Sequence, residues 1–278
     1  MQYADHPEGI QIRRIIMKSK LLSTLLLCGA LLVSPAAYAG DDFTQTDEKW
    51  DVMIGLSVAS VPQYSGAKDQ DFIAIPAVVI DYEFHKNNHI FINSYKGAGY
   101  EFAGDHFIWG VKLDWRRGRD SEDARILTGM PDVDSTVTGG FYGGLKLGEL
   151  TLMAEYAAGL DNNNDGVLNT LSAKYALHSV THPMNGYVGV KAVYGDDAYN
   201  ESYAGVTDRF VTADRPLYEG EAGFVRVGVI GGVDYLLEDH HYFRLDTSYM
   251  SLPSGVSDSP LAGESHEYSA LVSYGYKF

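Results

Sequence analysis

From Trp50 onward the chain alternates between apolar and polar positions. In HFIWGVKLDWR, residues 106–116, Phe107, Trp109, Val111, Leu113 and Trp115 occupy one set of alternate positions; His106, Ile108, Gly110, Lys112, Asp114 and Arg116 occupy the other. A two-residue period marks a β-strand, because successive side chains leave opposite faces. Three further stretches repeat the pattern: Val52, Ile54, Leu56 and Val58; Val137, Phe141, Leu145 and Leu147; Phe243, Leu245, Thr247 and Tyr249. A fourth sets Val225, Val227, Val229, Val233 and Tyr235 against Arg226, Gly228 and Asp234. Less regular stretches lie at 71–82, 89–94, 99–103, 150–157, 167–177 and 186–194. The last one, EYSALVSYGYKF (267–278), places Tyr268, Ala270, Val272, Tyr274, Tyr276 and Phe278 on one face. The pattern predicts twelve strands, or ten if 99–103 is not one.

The clearer stretches are about the 9 to 11 residues that a tilted strand needs to cross a membrane. A soluble β-sandwich would bury such apolar faces and gives a terminal aromatic face no role. A closed barrel turns them to lipid and satisfies every backbone group. The longest connections, at 117–135, 195–221 and 252–263, all fall at odd positions in strand order. Outer-membrane barrels have that parity, with short periplasmic turns and long extracellular loops. The predicted fold is therefore an all-β transmembrane antiparallel barrel. Its tail pairs with the first strand, and its terminal Phe resembles the signal read by the outer-membrane assembly machinery. Lys112, Asp114, Arg116, Lys146, Arg226, Arg244 and Asp246 are then lumen-facing candidates for ligand binding. Whether the lumen is open depends on loops 117–135 and 195–221, which are long enough to fold inward as a plug.

The first forty residues follow another grammar. Met17-Lys18-Ser19-Lys20 is basic, Leu21–Val33 is apolar and Ala37-Tyr38-Ala39 is a small-x-small cleavage site. That order marks a signal peptide at 17–39, cleaved near Ala39, with 1–16 an over-extended start or leader remnant and 40–278 a single barrel domain. The one cysteine, Cys28, falls in the removed segment, so no disulfide is expected. Residues 1–39 carry four basic and two acidic residues; without them 17 basic and 35 acidic residues remain, a net charge of −18. Such a chain repels nucleic acid.

Little points to catalysis. DNNNDG (161–166) sets Asp161, Asn163 and Asp165 at the first odd positions of a calcium loop, but Ser172 stands where the bidentate Glu belongs. Asn/Asp/Gly runs are also ordinary turn chemistry, so no metal and no cofactor are expected. His266 near Ser265 and Glu264 is the lone rim grouping with a hydrolase flavour, and neither a GxSxG elbow nor an HExxH motif is present. No catalytic residue is assigned. His85, His89, His106, His178, His182, His240 and His241 all fall in periplasmic turns. In mildly acidic surroundings that rim would gain positive charge and attract acidic cell-wall groups.

VASVPQYSGAKDQDFIAIPAVVIDYE (58–83), ARILTGMPDVDSTVTGGF (124–141), GLDNNNDG (159–166), YNESYAGVTD (199–208), VSDSPLAG (256–263) and the YGYKF end together resemble the MipA/OmpV family of Gram-negative outer-membrane proteins. SYAGV stands where that family often has Tyr-Tyr-Gly-Val. The resemblance implies a cell outer membrane barrel in contact with lipid, expected to be monomeric. It further implies a non-enzymatic scaffold for peptidoglycan-remodelling enzymes, a lytic transglycosylase and a penicillin-binding protein. Other members are described as porin-like, adhesive or immunogenic, so a small-solute channel or a surface adhesin is the alternative.

Overall fold

The computed structural model describes residues 49–161, 166–179 and 183–278. The leader, the signal segment, Cys28, Gly40, His182, Asn163 and Asp165 lie outside the described residues. The strands are β1 (Trp50–Pro62), β2 (Gln70–His85), β3 (Asn88–Asn93), β4 (Gly97–Ala103), β5 (Phe107–Arg116) and β6 (Thr136–Leu147). They continue with β7 (Leu150–Gly159), β8 (Val167–His178), β9 (Met184–Gly195), β10 (Gly223–Leu237), β11 (His241–Ser251) and β12 (His266–Lys277). Each pairs antiparallel with its sequence neighbours, and β12 pairs with β1 to close the ring. The 99–103 segment is a strand, paired with β3 and β5, so the count is twelve.

The alternation has the predicted sense. Phe107, Trp109, Val111 and Leu113 are 48 to 60 % exposed, while Ile108 and Lys112 between them are buried in the lumen. So large an apolar belt on the outside of a chain is stable only against hydrocarbon. Among the described residues no helix is long and apolar enough to cross a membrane; the strands do the crossing. Val225 departs from the reading. The β9–β10 register shifts between Phe224 and Arg226, so Phe224 points outward and Val225 packs inside with Val193, Tyr199 and Leu252. One extra residue in a bulge flips the phase on one side of it.

Aromatic rings gather at the two rims, where amphipathic rings settle at the headgroup level. Trp50 packs on Tyr82, Phe243 on Tyr274 and Tyr276 on Phe278 at the inner rim; Tyr194 meets Phe224 and Tyr249 meets Tyr268 at the outer. The tail is held because its backbone is paired to the end: Phe278 N–H donates to the Val52 carbonyl at 3.0 Å. The seam is reinforced from inside. Tyr95, in the β3–β4 connection, reaches the Ser57 hydroxyl at 2.7 Å and donates to that of Ser273 at 3.1 Å, on β1 and β12.

At the seam Gly55 faces Gly275, and a Cβ on Gly55 would collide with the Tyr274 carbonyl. Gly55→Val is therefore expected to abolish the compact form that migrates faster in unheated SDS gels. Gly143→Ala, whose Cβ would find nothing nearer than 3.7 Å, should keep it.

Candidate functional site in the barrel lumen

Every lumen candidate from the sequence is on the inner face, and the ion pairs these residues form lie within one strand or reach one or two strands away. Lys112 Nζ lies 3.0 Å from Asp114 and 2.9 Å from Glu155, a residue on β7. Arg244 grips Asp246 with Nε at 2.5 Å and Nη2 at 3.0 Å, a two-point contact. Around that pair Tyr187 donates to Asp246 at 2.7 Å and Tyr242 to Asp234 at 2.6 Å. Arg116 donates to the Gly166 and Ala157 carbonyls and stacks its guanidinium over Tyr199. Lys146 stands near the inner end, on the same strand as the buried Tyr142. Tyr142 and Lys96 both bond Glu101 at 2.5 Å, and Lys96 also sits 4.2 Å over the Phe91 ring.

Arg226 Nε lies 3.1 Å from Glu267, on β12. Sequence reading missed Glu155, Lys96, Glu101 and Glu267 as members of these networks. Glu155 lies on the polar alternate positions of the less regular strand at 150–157, which was the available signal. Their partners come from other strands, and one chain gives no register between them.

The outer mouth is covered. Tyr64, Ala67, Leu127, Met130, Val206 and Leu261, from four different outer loops, form one buried apolar cluster. Helix α1 (Asp197–Ala204) starts at Asp196, whose side chain accepts the Tyr199 N–H, and Tyr199 packs onto inward-facing Val193 and Val225. Arg215 ties the cover together, donating from Nη1 to the Ile126 carbonyl at 2.6 Å and from Nε to Phe210 O at 2.8 Å. Ser259 donates to Ala204 O at 2.6 Å, and Tyr203 to Arg117 O at 2.9 Å. Within this cover burial pushes the Tyr64 phenol up and the Arg119 guanidinium down from their ordinary values.

The inner rim carries histidines in fixed contacts. His89 Nδ1 lies 2.6 Å from Asp81, His178 Nε2 lies 2.8 Å from Glu149, and His240 Nδ1 donates to the Lys277 carbonyl at 3.0 Å. His266 is at the outer rim, stacked on Tyr249. Asp161 is described, but its calcium-loop companions Asn163 and Asp165 are not.

A closed antiparallel ring with an apolar belt outside and charged networks within defines an outer-membrane β-barrel. Residues 54–278 match the sequence model of the family described as "MltA-interacting protein MipA", and the chain belongs to that family. "Outer membrane protein OmpV" of Vibrio cholerae serotype O1 is 23 % identical over 216 residues, 76 % of this chain and 81 % of that protein. "Outer membrane protein Omp26La" of Vibrio anguillarum is 23 % identical over 160 residues, 57 % of this chain; the match spans 61 % of its length, less than two thirds. Among solved structures, the translocator domain of the autotransporter NalP from Neisseria meningitidis covers 97 % of this chain and 98 % of its own at a TM-score of 0.47 and 12 % identity.

Removing one member of a buried ion pair leaves an uncompensated charge and costs about 3–5 kcal/mol. Lys112→Met, which strands Asp114 and Glu155, should lower the urea midpoint of the folded barrel in micelles accordingly. Adding Glu155→Gln should recover part of the loss; a double variant as unstable as the sum of its single changes would contradict the pairing.

Proposed function

We propose that this protein is a non-enzymatic outer-membrane scaffold that presents its periplasmic rim to peptidoglycan-synthesising and remodelling enzymes. The observation that carries the reading is a lumen crossed by buried ion pairs and covered by packed loops. A solute pore needs a continuous aqueous path, whereas an anchor needs a rigid wall and an accessible inner face. The name of the matched family, with its reference to interaction with MltA, supports a murein-enzyme partner. The exposed periplasmic turns, with their histidines and the aromatic ring of Tyr276 and Phe278, supply a rim built of groups suited to protein contact.

On this reading, crosslinking intact envelopes and purifying the barrel should bring murein hydrolases or synthases with it. Recovery should change between about pH 5.5 and 7.5 if rim histidines take part in the contact. The purified chain should be silent in planar bilayers, and deletion of 197–219 should produce openings. Steady conductance from the intact chain, with no co-purifying murein enzyme, would replace the scaffold with a channel.

A further inference from the structure

The closing seam of the barrel parts at its outer end. β1 runs to Pro62 and β12 begins at His266, but the two pair only from Met53–Lys277 to Ser60–Ala270. Past that point loops join the strands instead of a ladder. Gly66 N–H donates to the Glu267 carboxylate at 2.9 Å, and the Gly66 carbonyl accepts the N–H groups of Gly263 and Glu264. At this parting lies a cavity of about 120 Å³. Val61 and Pro62, the last residues of β1, line it together with Glu267, Tyr268 and Ser269 of β12. Tyr268 is also 61 % exposed and packs on Tyr249 in the outer aromatic rim, so the cavity reaches the surface at headgroup depth.

The ionic groups of the lining are already engaged. Arg117 pairs with Asp71 at 2.6 Å, Arg226 lies 3.1 Å from Glu267, and Lys191 is engaged as well. A charged ligand would find nothing left to neutralise. Three buried polar atoms on the same lining nevertheless make no hydrogen bond: Trp115 Nε1, Ser65 Oγ and Arg226 Nε, whose N–H is not aimed at the nearby carboxylate. Two of them are donors only, and the hydroxyl can donate or accept. Much of the remaining wall is aromatic or aliphatic, with Tyr64, Tyr199, Tyr203, Ile73, Val193 and Ile230. The volume would admit on the order of ten waters, each seeking about three hydrogen bonds. Three unmet atoms in a largely carbon wall satisfy that demand poorly, whereas one molecule with a carbon body and a few acceptor oxygens matches it.

We propose that this cavity binds an uncharged pyranose sugar ring. The ring and hydroxyl oxygens accept from Trp115, Arg226 and Ser65, the donors that the protein itself leaves unused. The hydroxyl hydrogens turn to Glu267, which keeps free lone pairs beside its bond to Gly66, and to the Ser248–Ser269 hydroxyl pair. The C–H faces of the ring pack on the tyrosine and indole rings, which offer broad apolar surface with a polar edge. A mouth at headgroup depth suits the sugar head of an outer-leaflet glycolipid as well as a free sugar. The site lies at the end of the barrel opposite the periplasmic rim and depends on no partner there.

The test uses Trp115, because Trp50 and Trp109 are the other two indoles. The full chain with Trp50→Phe and Trp109→Phe, in sugar-free dodecylphosphocholine micelles, reports on Trp115 alone. Octyl glucoside should change its emission saturably. Half of the change should come at a concentration about tenfold below that of octyl triethylene glycol ether, which has the tail and acceptor oxygens but no ring. Ser65→Ala removes a hydroxyl that has no hydrogen-bond partner within the protein. It should therefore keep the heat-modifiable migration and weaken the glucoside response by about tenfold. Saturation by methyl glucoside at the same concentration identifies a free sugar as the source, and a response confined to the octyl glycoside identifies a glycolipid head; either supports the site. Equal responses to glycoside and ether overturn the proposal, as does a response that Ser65→Ala leaves unchanged. So does the lack of any saturable response to the octyl glycosides of glucose, galactose and mannose.

Discussion

In hydrocarbon a backbone N–H or C=O without a partner costs several kcal/mol, so a strand can enter the membrane only if both its edges are paired. The β1–β12 seam is what makes the wall continuous, and other features follow from it. Gly55 and Gly275 let the two chains approach, Tyr95 braces the joint from the lumen, and Phe278 is bound to β1 through the last amide of the chain. The aromatic face of the tail is thus fixed by closure rather than by burial.

Closure sets the second problem, because a twelve-stranded ring encloses more space than the small residues along it can fill. This chain fills much of it with paired charges. Lys112 with Asp114 and Glu155, Arg244 with Asp246 and Asp234, and Lys96 with Glu101 each bring opposite signs into contact, within one strand, from the next strand or from the next but one. Such pairs contribute little net stability against an apolar core, but breaking one is expensive, so they make the interior rigid and specific.

The fold was legible because lipid enforces a period of two on every strand, and the parity of loop lengths gave the topology. β4 was readable but short, and pairing on both sides proves it a strand. Val225 was misassigned because a bulge changes phase without any sequence mark that a single chain offers. The lumen faces of Lys112, Arg226 and Arg244 were legible; their partners Glu155, Glu267 and Asp234 depend on register across strands.

The most direct test follows oxygen and nickel-chelate accessibility along β12 in lipid nanodiscs, by spin labels at single cysteines in a Cys28→Ser background. Positions 270 and 272, between the two aromatic rims, should show the high oxygen and low nickel-chelate access of hydrocarbon contact, and 269, 271 and 273 should not. A flat profile, or one of opposite phase, would contradict a wall whose apolar face is turned to lipid.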